Sequence, residues 1–145
     1  MGSTAMSEFE SKLNGMLFSL MSWEQLTAFW ARVDMNAGWY LYAVGQEVPS
    51  VPAAYEQVSL FVQKIDALLR HEHEESYCGI VYADDLEQPS FIKIYDPGNL
   101  GVSCGSSKIK VQPGWVMSQF APIELQAKAV PANRTRWWQG LFSSS

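Results

Sequence analysis

The chain has 145 residues, with 10 Lys and Arg against 15 Asp and Glu, a net charge of −5 and 48% apolar residues. At roughly 150 residues per domain this length implies one domain, with a core that removes about two-thirds of the unfolded surface from water. The apolar content excludes disorder for most of the chain, and the acidic balance disfavours duplex binding, which needs a basic face for phosphate neutralisation.

Residues 1–6 carry no structural weight: Met1 to Ala5 reads as a leftover ahead of a natural start at Met6, and 1–6 is expected to be disordered. The opening lacks the basic stretch and apolar run of a secretory signal, so the cytoplasm is the expected location. It also lacks the Ser or Thr that a myristoylation signal needs at its sixth position. No apolar run approaches the roughly 20 residues that span a bilayer. The two cysteines, Cys78 and Cys104, lack C-x-x-C spacing and are expected as free thiols.

Ser7-x-x-Glu10 has the form of a capping box, in which a hydroxyl and a carboxylate satisfy two orphan amides reciprocally. Phe9, Leu13, Met16, Leu17 and Leu20 then recur at helical spacing, which predicts a helix running to about Met21. Ser22-x-x-Gln25 repeats the pattern, and Leu26, Phe29, Trp30 and Val33 supply a second apolar stripe. Asn36-Ala37-Gly38 reads as a helix end. Trp39 to Val44 is aromatic-rich and stops at Gly45, which favours a short strand. Pro52 fits the first turn of a long helix, whose stripe is Tyr55, Val58, Val62, Ile65 and Leu69, widened by Phe61 and Leu68.

The second half turns β-rich. Tyr77 to Ala83 and Ser90 to Tyr95 predict an antiparallel hairpin, with Cys78, Ile80 and Tyr82 on one face of its first strand. Asp96-Pro97-Gly98-Asn99 is a turn, and Trp115 to Phe120 offers a last strand. The expected architecture is α+β, with N-terminal helices packed on a small antiparallel sheet of three or four strands in the second half. Residues 7–125 form the domain, and 126–145 form a linker and a basic, aromatic C-terminal tail.

Three constellations could carry chemistry. The glycine-rich run from Gly98 to Lys108 holds Cys104 among exposed amides, an environment able to activate a thiol. Lys108 stands three residues after Gly105, so the phosphate-loop pattern is not met. His71 and His73 are the chain's only imidazoles, and either is the candidate base for Cys104 in a thiol-dependent enzyme or ligand-binding domain. On a helix, residues two apart diverge by about 200°, so His71 and His73 would not share a metal ion. The acidic hairpin tip, Asp84, Asp85 and Glu87, lacks a calcium-loop pattern. A pairing of Asp84 with Asp96 as general acid and base would require a geometry that spacing does not supply. No metal and no cofactor is expected.

The stronger indication is Arg134, Arg136, Trp137, Trp138, Leu141 and Phe142. Each large apolar side chain left in water forgoes about 1.5 to 3 kcal/mol, so either the chain's own body or another molecule should cover them. Trp and Arg often dominate binding energy. Two arginines attract an anionic membrane by only about 2 kcal/mol, which disfavours a membrane surface. The reading favoured is a small cytosolic accessory or adaptor protein, not an enzyme. It would contact a protein partner or a second copy through its aromatic tail and an exposed sheet face.

Overall fold

The structure, a computed structural model, describes residues 7–98, 112–125 and 130–141. It is α+β, with five strands in one antiparallel sheet, and its helices and strands interleave along the chain. The expectation of N-terminal helices followed by a sheet confined to the second half is therefore corrected, because two of the five strands lie in the first half.

The Ser7 capping box forms: Ser7 Oγ accepts from the Glu10 amide at 3.1 Å, and Glu10 Oε1 accepts from the Ser7 amide at 3.3 Å. The helix it opens, α1, covers only Glu8–Leu13. Asn14 caps it and Gly15 follows, and both residues have poor helix propensity. A Cβ at Gly15 would stand 2.8 Å from the Ser11 carbonyl oxygen. The chain then extends into β1, Phe18–Leu20, instead of continuing the predicted helix to Met21. Met16, Leu17 and Leu20 satisfy a helical stripe, but pairing with a distant strand overrides that local pattern.

Helix α2, Trp23–Arg32, is capped by Ser22, whose Oγ accepts from the Gln25 amide at 2.9 Å. Gln25 reaches back one residue further than a capping box, to the Met21 amide at 2.8 Å. The chain turns through Gly38, at φ +87°, into β2, Tyr40–Ala43. Helix α3, Tyr55–Glu72, begins a few residues after Pro52 and carries its predicted stripe: Val58, Phe61, Val62, Ile65, Leu68 and Leu69 are buried. Asp66 joins the two long helices, accepting from Trp30 Nε1 at 3.1 Å and from Arg70 Nε at 2.8 Å, while Arg70 also donates to Thr27 Oγ1.

Strands β3, Val81–Ala83, β4, Phe91–Ile94, and β5, Trp115–Ser118, fall where the β-rich runs predict them. The sheet order is β1-β3-β4-β5-β2, so the two first-half strands form its edges. The β3–β4 hairpin is organised by Asp84, which accepts from the Ser90 and Phe91 amides, from Ser90 Oγ at 2.6 Å and from Lys12 Nζ at 2.9 Å. Val81, Ala83, Ile92 and Ile94 meet the helices in the larger core cluster. Tyr82 points to the opposite face, beside Lys93, not to the side of Cys78 and Ile80 as strict alternation predicts. The alternation breaks at the entry to β3, where the consecutive Ile80 and Val81 both join the larger core; just before it Gly79, at φ +71°, and Cys78 bond the Leu20 and Met21 carbonyls out of the β1–β3 register.

The larger cluster fills the space between the sheet and α2 and α3. A smaller one, Phe9, Tyr42, Val44, Phe91 and Val116, lies on the other face under α1. The last helix, α4, spans Ala132–Leu141 and starts on the Pro131 carbonyl, which accepts from the Arg134 and Thr135 amides.

Candidate interaction surface

The predicted tail residues fall on two sides of α4. Arg134, Trp137, Trp138 and Leu141 stand at i, i+3, i+4 and i+7, which puts them on one face. That face docks on the chain's own body. The Trp137 ring meets Trp115 of β5 edge-on at 5.6 Å, the Trp138 ring meets Phe61 of α3 at 6.1 Å, and Leu141 packs on the larger core cluster. Arg136 is exposed on the other side, and Phe142 lies outside the described residues. Of the two covers available to the indoles, own body or another molecule, the fold supplies the first.

Arg134 fixes the docking. Its guanidinium, only 10% exposed, forks onto two carboxylates: Asp96, at 2.7 and 3.0 Å, and Glu72, at 2.6 and 3.2 Å. The hydrogen bonds from Arg134 hold the Glu72 carboxyl below its ordinary range despite some burial and the nearby Asp96 charge. Both carboxylates reinforce the positive charge on Arg134. Gln46 Nε2 adds a bond to Thr135 Oγ1 at 3.1 Å. Asp96 is therefore joined to the C-terminal helix and Asp84 to Lys12 and Ser90, so each acid is held by its own set of donors.

The two histidines part company at the end of α3. His71 is exposed. His73 is buried, with Nε2 3.0 Å from the Cys78 carbonyl, which accepts its hydrogen, and with Trp23 and Tyr77 edge-on at 5.9 and 6.1 Å. It closes the 73–78 loop. Cys78 is buried and free, and burial pushes its thiol pKa up against the partial relief of the Ile80 and Val81 amides. Cys104 and most of the glycine-rich run lie outside the described residues. Among the described residues no group of His, Cys, Asp and Glu is arranged to hold a metal ion, and no helix is long and apolar enough to cross a membrane.

Tyr82 and Lys93 lie on the sheet face away from the larger core, beside Tyr95, which also packs on the rim of that core; all three are half-buried. The Lys93 ammonium lies 5.5 and 5.2 Å from the two ring centroids, and the rings meet edge-on at 5.7 Å.

A more exposed apolar surface lies at the β1 edge, which sequence reasoning placed inside a helix. Met16 is 80% exposed, Phe18 46%, Met21 54% and Tyr77 50%. The backbone brings Tyr77 to this edge, because the neighbouring Cys78 amide bonds the Met21 carbonyl at 2.7 Å. Ser19 Oγ lies 3.3 Å from the Met21 sulfur, between the two ends of the patch. The signal available in the sequence was Asn14-Gly15, a helix stop set directly before Met16.

In comparisons with known proteins, no family model, no curated protein and no solved structure matches this chain.

Proposed function

We propose that this chain is a small accessory or adaptor protein that works by docking to another protein, with the β1 edge as its docking surface. One observation carries the reading. Met16, Phe18, Met21 and Tyr77 are four large apolar side chains left in water at one edge of the sheet, in a fold that buries Phe9, Phe29, Phe61 and Phe91 completely. Isolated exposed apolar residues are ordinary, whereas a cluster at one edge is the mark of an interaction site. Met is well suited to such a surface, being unbranched and adaptable to a partner's shape. The Tyr82–Lys93–Tyr95 face extends it around Ser19, whose register partner is Tyr82. The half-buried face of α4 completes the body, and its exposed Arg136 side adds to the available surface.

Photocrosslinking in cells tests the reading. A photoreactive phenylalanine analogue replacing Phe18 should give one discrete protein adduct, and the same analogue at Gln63, exposed on α3, should give none. Equal adduct patterns at the two positions, or no adduct at Phe18, would overturn it.

A further inference from the structure

Among the described residues, the β1 edge combines unpaired backbone with apolar side chains. On β3, Tyr82 lies opposite Lys93, between the hydrogen-bonded positions marked by Tyr95 amide to Ile80 carbonyl and Asp84 amide to Phe91 carbonyl. Antiparallel ladders alternate, so Tyr82 bonds toward β4, while Val81 and Ala83 direct their backbone groups toward β1. Their register partners, Leu20 and Phe18, therefore point inward. Ser19, between them, directs its N–H and C=O away from the sheet. The edge thus offers one donor and one acceptor to an incoming extended segment, with Phe18 on one side of the strand and the Tyr82 face on the other.

The charge around the edge selects the occupant. Glu24 opens α2 three residues after Met21, Glu74 and Glu75 precede Tyr77, and all three are exposed. The Glu75 carbonyl accepts from Trp23 Nε1 at 3.1 Å, which brings the 74–77 loop against the start of α2. Among the described residues the neighbouring cations are engaged: Arg70 with Asp66, Lys12 with Asp84, and Lys93 between its two tyrosines. A second copy of this chain would bring its own Glu24, Glu74 and Glu75 toward an edge already rimmed by the same acids, in a molecule of net charge −5.

Resting on the docking reading above, we infer that the β1 edge accepts an extended segment of another protein in which apolar and basic residues alternate, added as a sixth strand against Ser19. The main chain of the segment bonds Ser19, its apolar side chains cover Met21 and Tyr82 on the Ser19 face, and its Lys or Arg side chains lie on the Phe18 face, their apolar stems along Phe18 and their charged ends toward Glu24, Glu74 and Glu75 on the α2 side.

The test uses the full chain and synthetic peptides of about seven residues, one alternating Val and Lys, one alternating Val and Glu, and the Val/Lys peptide N-methylated along one edge. Expected is a shift of the Ser19 and Tyr77 amide resonances, with slowed exchange at Ser19, for the Val/Lys peptide alone. Triple substitution Glu24→Gln, Glu74→Gln and Glu75→Gln should weaken that binding by about tenfold at low salt. Ser19→Pro removes a donor that faces away from the ladder, so the fold persists while peptide binding is lost. Unchanged binding in folded Ser19→Pro, equal binding of the Val/Glu peptide, no binding of any peptide, or a dimer through β1 in light scattering would each overturn the inference. Failure here with the Phe18 crosslink retained removes strand addition alone; loss of the crosslink removes the docking reading beneath it.

Discussion

At the scale of single residues, Arg134 shows how one side chain can settle where an element goes. Its guanidinium is planar, always charged and able to meet two carboxylates at once, a role lysine's point charge does not fill. Removing it takes away the cation that Asp96 and Glu72 share. Arg134→Met is therefore expected to lower stability by about 2 kcal/mol in urea unfolding, the range for charge-assisted hydrogen bonds at a partly exposed site. Arg134→Lys should recover only part of the loss. The arginine is plain in the sequence, but its partners lie 38 and 62 positions away and nothing local points to them. His73 teaches the same lesson. Its ring is occupied by the Cys78 carbonyl and two aromatic neighbours, whereas His71, two positions earlier, stands in water.

At the scale of elements, the strongest local signals held. Both serine caps formed, and the α3 stripe is buried along its length. The segment 16–21 went the other way, because three residues of strand cannot be told from a helical continuation by spacing when Leu20 suits both. Helix α4 is short, and isolated helices of about that length are marginal in water, so its stability must come from the face it buries. Trp137→Ala and Trp138→Ala are each expected to cost about 2 kcal/mol, below the value for a fully buried indole because both rings are only partly buried. Loss of α4 amide protection in hydrogen exchange should accompany the cost. Unchanged protection in both variants would show that the indoles do not hold the helix.

For the whole molecule, acid is the sensitive direction. At Asp84, burial acts to raise the carboxyl pKa, but the Ser90 hydroxyl, Lys12 and the Ser90 and Phe91 amides together outweigh it and lower the value. Glu72 is lowered by Arg134. In both, the folded chain holds its proton less tightly than the unfolded chain does. Their stabilisation is complete above the ordinary values of 3.8 and 4.5, and it is lost as pH falls through the lowered values of the native state. Stability should thus be flat from about pH 7 to 5 and decline below that. Asp84→Asn should start less stable and show a shallower acid limb. An acid limb as steep as the parent's would remove Asp84 from the account.

Composition and periodicity were enough for the α+β class, the long central helix, four of the five strands and the two serine caps, because those depend on contacts within a few residues or on an apolar stripe that any core would take up. The placement of Phe18 to Leu20 at the edge of the sheet, the turn of Tyr82 to the far face at the entry to β3 and the capture of Arg134 by Asp96 and Glu72 came only with the folded chain. Each of these is a pairing between residues far apart in order, and its free energy exists only once the intervening chain has closed. The exposed apolar edge belongs to the same group: Met16, Phe18 and Met21 are as apolar as the residues beside them, and folding alone decides which of them water still reaches.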